Sequence, residues 1–303
     1  MTLVSVLIPT FRRPDSFLRA ARSVFAQAGA PDMELIAVDN SPEGSALAAF
    51  ARLETESPIP FRWAHAPRPG VSQARNAALS LARGKLVAWL DDDEEASPGW
   101  LAALLATRNI TGAQSVFGPV VARAPAGVQH AHLFERLYAR NGPLESGLTK
   151  NAYGIGNSLQ PRMMFEGATP FDVRADQSGG EDDLLFASWR EAGASFAWAA
   201  DALVTEHLGA ERTRLSHGLK RAFAYGQGPS ETAWASRKYA ALARHMCIGA
   251  GQAAVYGIAS GVALAGSPAH ALALLDRATR GAGKVFWFWE QRFYGAALAA
   301  QPN

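Results

Sequence analysis

The 303-residue chain is 49% hydrophobic and 18% charged, with 28 Gly and 17 Pro, which excludes disordered, collagen-like and coiled-coil chains and leaves room for two domains or one large α/β unit with an appendage. Its net charge of +2 is unevenly spread: residues 1–204 carry 18 basic and 22 acidic side chains (−4), and residues 205–303 carry 11 and 5 (+6). This argues against a general nucleic-acid binder and for an anionic partner of the C-terminal third, a membrane surface being one, while the single Cys247 allows neither an intrachain disulfide nor a multi-cysteine zinc site and fits a reducing compartment.

Met1-Thr2-Leu3-Val4 lacks a basic region, and the apolar run ends at Pro9, too short for a signal peptide or a span, so the N-terminus is expected to belong to the fold. Leu3 to Ile8 reads as a buried parallel strand giving way to a loop at Pro9. After Asp15, the spacing of Phe17, Ala20, Ala21, Val24 and Phe25 predicts a helix over 16–25. A strand over 34–38, a helix over 45–56, a strand over 61–64, a helix over 71–82 and a strand over 86–90 follow. Alternating strands and helices imply βαβ units and a mostly parallel sheet, whose ligands sit at the carboxyl ends of strands, where Pro9 to Arg13, Asp39 and Asp91 fall. Asp91 to Glu95 are read as a loop, and Ser97-Pro98 as the N-cap and first position of the next helix. Residues 114–180 read as loop-rich, a helix is expected just after Gly179-Gly180, and a final strand over 196–204.

The acid run is the strongest chemical signal. Asp91 and Asp93, two apart on an extended segment, can point the same way and hold a divalent cation that in turn holds phosphate oxygens, and a cation would relieve the repulsion of five adjacent carboxylates. Glu94 and Glu95 also suit the positive N-terminus of the following helix. At Gly180-Glu181-Asp182-Asp183 a carboxylate can serve as general base, or simply cap its helix. Gly70 to Asn76 opens a helix whose N-terminal amides, with Arg75, suit a phosphate or nucleobase. His207, after the last strand, is either a metal ligand or a core histidine.

Taken in order, Ser5-Val6-Leu7-Ile8-Pro9-Thr10-Phe11-Arg12-Arg13, Val38-Asp39-Asn40-Ser41, Gly70 to Asn76, Trp89-Leu90-Asp91-Asp92-Asp93-Glu94 and Gly180-Glu181-Asp182 resemble family 2 glycosyltransferases, and the resemblance covers residues 3–228. Glu206, Arg212, Arg221 and Gly226 look like the branch that builds bacterial exopolysaccharides such as succinoglycan. The resemblance implies a GT-A fold, α/β with a Rossmann-like mostly parallel sheet and a C-terminal helical appendage. It implies a nucleotide-sugar-binding half over 1–115, an acceptor-binding and catalytic half over 116–228, and a helical region over 229–303. On the matching positions, Pro9, Thr10, Arg12, Asp39 and Arg75 surround the base and ribose. Asp91 and Asp92 face the ribose and phosphates, and Asp93 ligates the metal, Mn²⁺ or Mg²⁺. His207 is a candidate second ligand, Asn157 sits in the loop near the transferred sugar, and Arg212 can reach the phosphates from a mobile loop. Asp182 is the implied catalytic base of an inverting single displacement, taking the proton of an acceptor hydroxyl as the nucleoside diphosphate leaves. Relatives often carry a second aspartate where this chain has Leu184. UDP is the nucleotide the resemblance favours, with GDP and dTDP open, and the acceptor is expected to be a saccharide, polyprenyl-linked, at the inner face of the cytoplasmic membrane. A sugar nucleotidyltransferase would need a glycine-rich first loop, which Pro9-Thr10-Phe11 replaces. A non-catalytic nucleotide-sugar or glycan-binding subunit is separated from an enzyme only by assay.

Between Arg244 and Asp276 no charged residue occurs, but Gln252, His270 and Gly266-Ser267-Pro268 interrupt the run, predicting a hairpin of packed or interfacial helices. Arg237, Lys238, Arg244, Arg277, Arg280 and Lys284, with Phe286 to Trp289, suit an anionic membrane face, and peripheral membrane contact is expected over 237–294.

Overall fold

The computed structural model describes residues 4–27, 32–129, 131–167, 170–176 and 180–289; Leu3, Gly179 and the last part of the expected membrane-contact region, 290–294, lie outside the described residues. The chain divides into two compact units, residues 1–122, 139–176 and 180–207, and residues 123–138, 177–179 and 208–303.

The first unit is the α/β body expected from the sequence. Its elements begin with β1 (Val4–Thr10), α1 (Pro14–Phe25), β2 (Met33–Asp39), α2 (Leu47–Glu56), β3 (Phe61–His65), α3 (Val71–Leu81) and β4 (Leu86–Trp89). They continue through β5 (Glu94–Ala96), α4 (Trp100–Thr111), β6 (Ser115–Phe117) and β7 (Val120–Arg123). After α5 (Ala131–Tyr138) in the second unit come β8 (Gly147–Thr149), β9 (Ser158–Pro161), α6 (Glu181–Glu191), β10 (Phe196–Trp198) and β11 (Val204–His207). The main sheet runs β3-β2-β1-β4-β9-β6-β10-β8, with β1 parallel to β2 and β4 and with β9 antiparallel to β4 and β6; a small sheet runs β5-β11-β7.

Side-chain alternation divides the core into two layers. Val4, Val6 and Ile8 of β1 join Leu35 and Ala37 of β2 against Phe17, Phe50 and Trp100, while Leu7, Ile36, Val38 and Trp89 pack on the other face against Ala74, Ala78 and Phe186. Strands buried on both faces read as continuous apolar runs, which is why β1, β2 and β4 were legible.

Several local expectations are corrected. β1 continues through Pro9 to Thr10: β4 pairs with β1 only as far as Leu7, so the ring, which has no N–H to donate, sits where β1 needs a partner on one side alone. α4 starts at Trp100 behind Gly99 in the left-handed region (φ 83°), and Ser97 Oγ instead donates to Leu203 O, 2.7 Å. Glu94 and Glu95 are strand residues, not loop, paired antiparallel with Glu206 and Thr205 of β11. The single strand expected over 196–204 is two strands in different sheets. The loop-rich stretch over 114–180 holds four strands of three or four residues each, too short to show a period.

The second unit is helical: α5, α7 (Leu215–Ala235), α8 (Tyr239–Ala263) and α9 (Pro268–Val285). α8 and α9 form the expected hairpin, antiparallel, with Ser267 Oγ capping α9 by accepting from His270 N and Pro268 in the first turn. Gly249 and Gly281 let the two backbones touch, since a Cβ at either would lie 2.6 Å from the other's carbonyl oxygen.

Candidate active site

The parallel strands deliver the motifs to one edge of the sheet. Thr10 is in register with Asp39 across β1 and β2, and Leu7 with Trp89 across β1 and β4, so the residues after β4 emerge level with Pro9 and Thr10. Thr10 Oγ1 accordingly donates to Asp92 Oδ2, 2.7 Å. Arg13 at the start of α1, which sequence reasoning did not single out, donates to Asp92 Oδ1 (3.3 Å) and Asp93 Oδ2 (2.7 Å). Burial, followed by the neighbouring Asp93 and Asp91 carboxylates, pushes Asp92 up to about 6 against the opposing pull of Arg13 and Thr10. Burial likewise holds Glu94 well above its ordinary value.

Arg12 has left-handed backbone (φ 57°), and its Nε donates to Glu43 Oε1, 2.7 Å, with its guanidinium 5.0 Å from the Phe11 ring. Asp39 is wholly buried, Oδ1 accepting from Ser41 N (2.8 Å) and Oδ2 from Ala46 N (2.6 Å). Asn40 fastens the same loop, donating to Ala66 O and Arg68 O and accepting from Gly70 N. The bend that carries Asp39 is thus rigid before any ligand arrives.

The expected open N-terminus of α3 is corrected. Asp176 occupies it, its Oδ1 accepting from Ser72 N at 2.6 Å, and Ser72 Oγ donates to Asp172 O. A carboxylate already meets those amides, so they are not available to a phosphate. Arg75, one turn on, is buried, ion-paired with Glu181 and 3.9 Å from Asp91 Oδ1, and lies 5.4 Å from the Phe171 ring. Burial alone would lower its pKa, but Glu181, Asp91 and Asp182 outweigh that and raise it. Its Nε is a buried donor with no partner among the described residues.

Asp182 sits in the first turn of α6 behind Gly180 in the left-handed region (φ 85°). Its Oδ2 accepts from Ile155 N (3.1 Å) and its Oδ1 from Asp183 N (2.9 Å), which fixes the direction of the carboxylate. The loop supplying Ile155 runs Gly154-Ile155-Gly156; a Cβ on Gly156 would collide with Asp91, and one on Gly154 would lie 3.5 Å from Asp182 Oδ2. Arg140 donates to Gly156 O and closes this side. Arg140 had no signal of its own in the sequence, and although Glu181 stood in the acidic cluster there, its pairing with Arg75 was not legible.

Asn157, Arg212 and His207 are the remaining expected site residues. Asn157 is wholly buried at φ 53°, its Oδ1 accepting from Trp100 Nε1 (2.7 Å) and its Nδ2 donating to Pro119 O and Ala202 O (both 2.8 Å). Its amide is spent on tying β9, α4 and the small sheet together, and it offers no group to a sugar. Arg212 belongs to the second unit, where its guanidinium lies 5.8 Å from the Tyr138 ring. His207 N donates to Asp93 O (2.8 Å), and its Nε2 is 2.9 Å from Glu95 Oε2. Among the described residues no group of three or more His, Cys, Asp or Glu side chains is placed to hold a metal.

The family model for glycosyl transferase family 2 matches residues 5–166, more than half of the chain. The succinoglycan biosynthesis protein ExoM of Rhizobium meliloti (strain 1021) is 33% identical over 234 residues, covering 74% of this chain and 73% of that protein. Among solved structures, S. aureus TarS resembles the fold with a TM-score of 0.51 at 16% identity, over 72% of this chain and 38% of TarS. A crystal structure of TarS 1–349 in complex with UDP matches with a TM-score of 0.52 at 15% identity, over 74% of this chain and 65% of that one, so the chain spans less than two thirds of either TarS chain. The matched region holds the strand ends that carry Thr10, Asp39 and Asp91 to Asp93, on a sheet of the GT-A kind, and the chain belongs to glycosyl transferase family 2, a glycosyltransferase.

Proposed function

We propose that the protein is an inverting, metal-dependent transferase that moves a sugar from a nucleoside diphosphate, UDP first among the candidates, to a hydroxyl of a lipid-linked saccharide in exopolysaccharide synthesis of the succinoglycan kind, at the inner face of the cytoplasmic membrane. The observation that carries this reading is the convergence on one sheet edge of Asp91 to Asp93, the buried Arg75 with its unpartnered Nε, and an Asp182 carboxylate held by two backbone amides. The similarity to ExoM supports the pathway class, and the UDP complex of TarS supports the nucleotide.

In this reading Asp182 receives the proton of the acceptor hydroxyl as that oxygen attacks the anomeric carbon, and the diphosphate departs from the opposite face. Arg75 and Arg13 supply positive charge at the strand ends, and Thr10 and Asp39 hold the loops that enclose the nucleotide. Asp93 and His207, joined through their backbones, are the residues that would hold Mn²⁺ or Mg²⁺, a carboxylate and an imidazole whose Nε2 faces Glu95. When bound, the cation neutralises the leaving diphosphate.

The test is calorimetric binding of UDP, GDP and dTDP with Mn²⁺, Mg²⁺ or EDTA, paired with turnover. Metal-dependent binding of one nucleotide is expected in the wild type and lost in Asp93→Ala. Asp182→Asn is expected to keep that binding while turnover falls by about 10²–10⁴. Unchanged turnover in Asp182→Asn removes Asp182 as base, and metal-independent binding removes the cation.

A further inference from the structure

α8 is built inside out. In a water-soluble helix the polar residues face solvent and the apolar stripe faces the core. On α8, Gln252 and Ser260 turn toward α9: Gln252 Oε1 accepts from Lys284 Nζ (2.8 Å) and Ser260 Oγ donates to Ala271 O (2.8 Å). Tyr256 faces the same way, with the Arg277 guanidinium 5.5 Å from its ring. The opposite face carries Ile248, Val255, Ile258 and Val262 at helical spacing, the last three 64%, 73% and 75% exposed. From Cys247 to the end of the helix this face bears no charged side chain, a strip of about 24 Å at the ordinary helical rise. Among the described residues, α8 is the helix long and apolar enough to cross a membrane, yet it is barely buried.

The charge around the strip selects the occupant. No acidic residue occurs between Glu231 and Asp276, and Arg237, Lys238 and Arg244 stand at the N-terminal end of the strip. Beside them is an aromatic cluster in which Trp234 and Tyr239, both exposed, lie 5.7 Å apart and the partly buried Trp287 lies 5.2 Å from Trp234. Cations and Trp/Tyr rings at one end of an apolar strip match the headgroup layer of an anionic bilayer, with the strip reaching the acyl boundary. A second copy meeting this face by two-fold symmetry would find no acidic residue on it to answer those cations. A span is disfavoured because the inner face of α8 is packed along α9, which carries Asp276, Arg277 and Arg280.

We infer that the outward face of α8, with its basic and aromatic end, lies in the interface of an anionic lipid bilayer. This deepens the membrane-facing part of the proposed function and is tested without donor or acceptor, so its failure leaves the transferase reading standing. Cys247 is exposed, is the one cysteine of the chain, and lies on this face, so an environment-sensitive thiol dye reports on it directly.

With the full chain and phosphatidylcholine vesicles, with or without phosphatidylglycerol, the dye is expected to shift to the blue and to be quenched by brominated lipid only when phosphatidylglycerol is present, and unlabelled protein to sediment with those vesicles. Val255→Glu with Ile258→Glu, both exposed, should lower partitioning about tenfold or more with unchanged thermal unfolding. Arg237→Glu with Lys238→Glu should weaken binding and its salt dependence. Absence of vesicle binding, binding without a blue shift, or a dimer in light scattering that Ile258→Glu dissolves would overturn the inference, the last assigning the face to a second copy.

Discussion

Asp182 and Asp39 show how little a carboxylate's identity says about its task. Both accept two backbone N–H groups, but Asp39 is wholly buried and spends its oxygens holding a bend, whereas Asp182 stands in the first turn of α6, half-buried, and faces the loop before β9. Glu34 illustrates the purely structural case. Burial alone would raise its pKa, yet hydrogen bonds from Ser5 Oγ and Arg83 N and the ion pair with Arg62 hold it below the ordinary 4.5. A carboxyl lowered in the folded state contributes stability that is present above its unfolded value and lost as pH falls through the folded one. Glu34→Gln is therefore expected to cost about 1–3 kcal/mol near pH 7. Its deficit against wild type should shrink below pH 4.5, read by urea unfolding at stepped pH. A deficit that does not depend on pH would show that the charge of Glu34 is not what matters.

At the scale of elements, strands and helices whose pattern is local were legible, and their ends were not. The helix period of α1 and the apolar runs of β1, β2 and β4 are properties of neighbouring residues. The Asp176 carboxylate that caps α3 is 104 residues from Ser72, and the Glu181 partner of Arg75 is 106 residues away. No local period records such contacts, so the α3 N-terminus looked open from the sequence. The junction also depends on Gly70, whose φ of 156° and closeness to Asp176 exclude a Cβ. Gly70→Ala should cost about 1–3 kcal/mol, seen as a lower denaturant midpoint with an unchanged slope. A wild-type midpoint would mean that Asp176 gives way without loss.

At the scale of the whole molecule, the charge asymmetry of the sequence maps onto the two units, an acidic α/β body and a basic helical unit, and the proposed donor site falls entirely on the first. UDP with Mn²⁺ is expected to slow hydrogen exchange at 10–13, 39–41, 91–95 and 154–158, four segments far apart in sequence, while protection confined to 208–289 would contradict the donor site. The sequence by itself determined the βαβ body, the order of the motifs and their family, and the helical hairpin, because periodicity, turn residues and motif spacing are written in neighbouring positions. Only the tertiary structure decided that Glu94 and Glu95 belong to a strand, that Asn157 is structural, that Arg13, Arg140 and Glu181 join the site, and that α8 turns its apolar face outward. Each of these depends on which distant segment a residue meets, and burial, ion pairing and strand pairing are settled by packing rather than by the residue's neighbours in the chain.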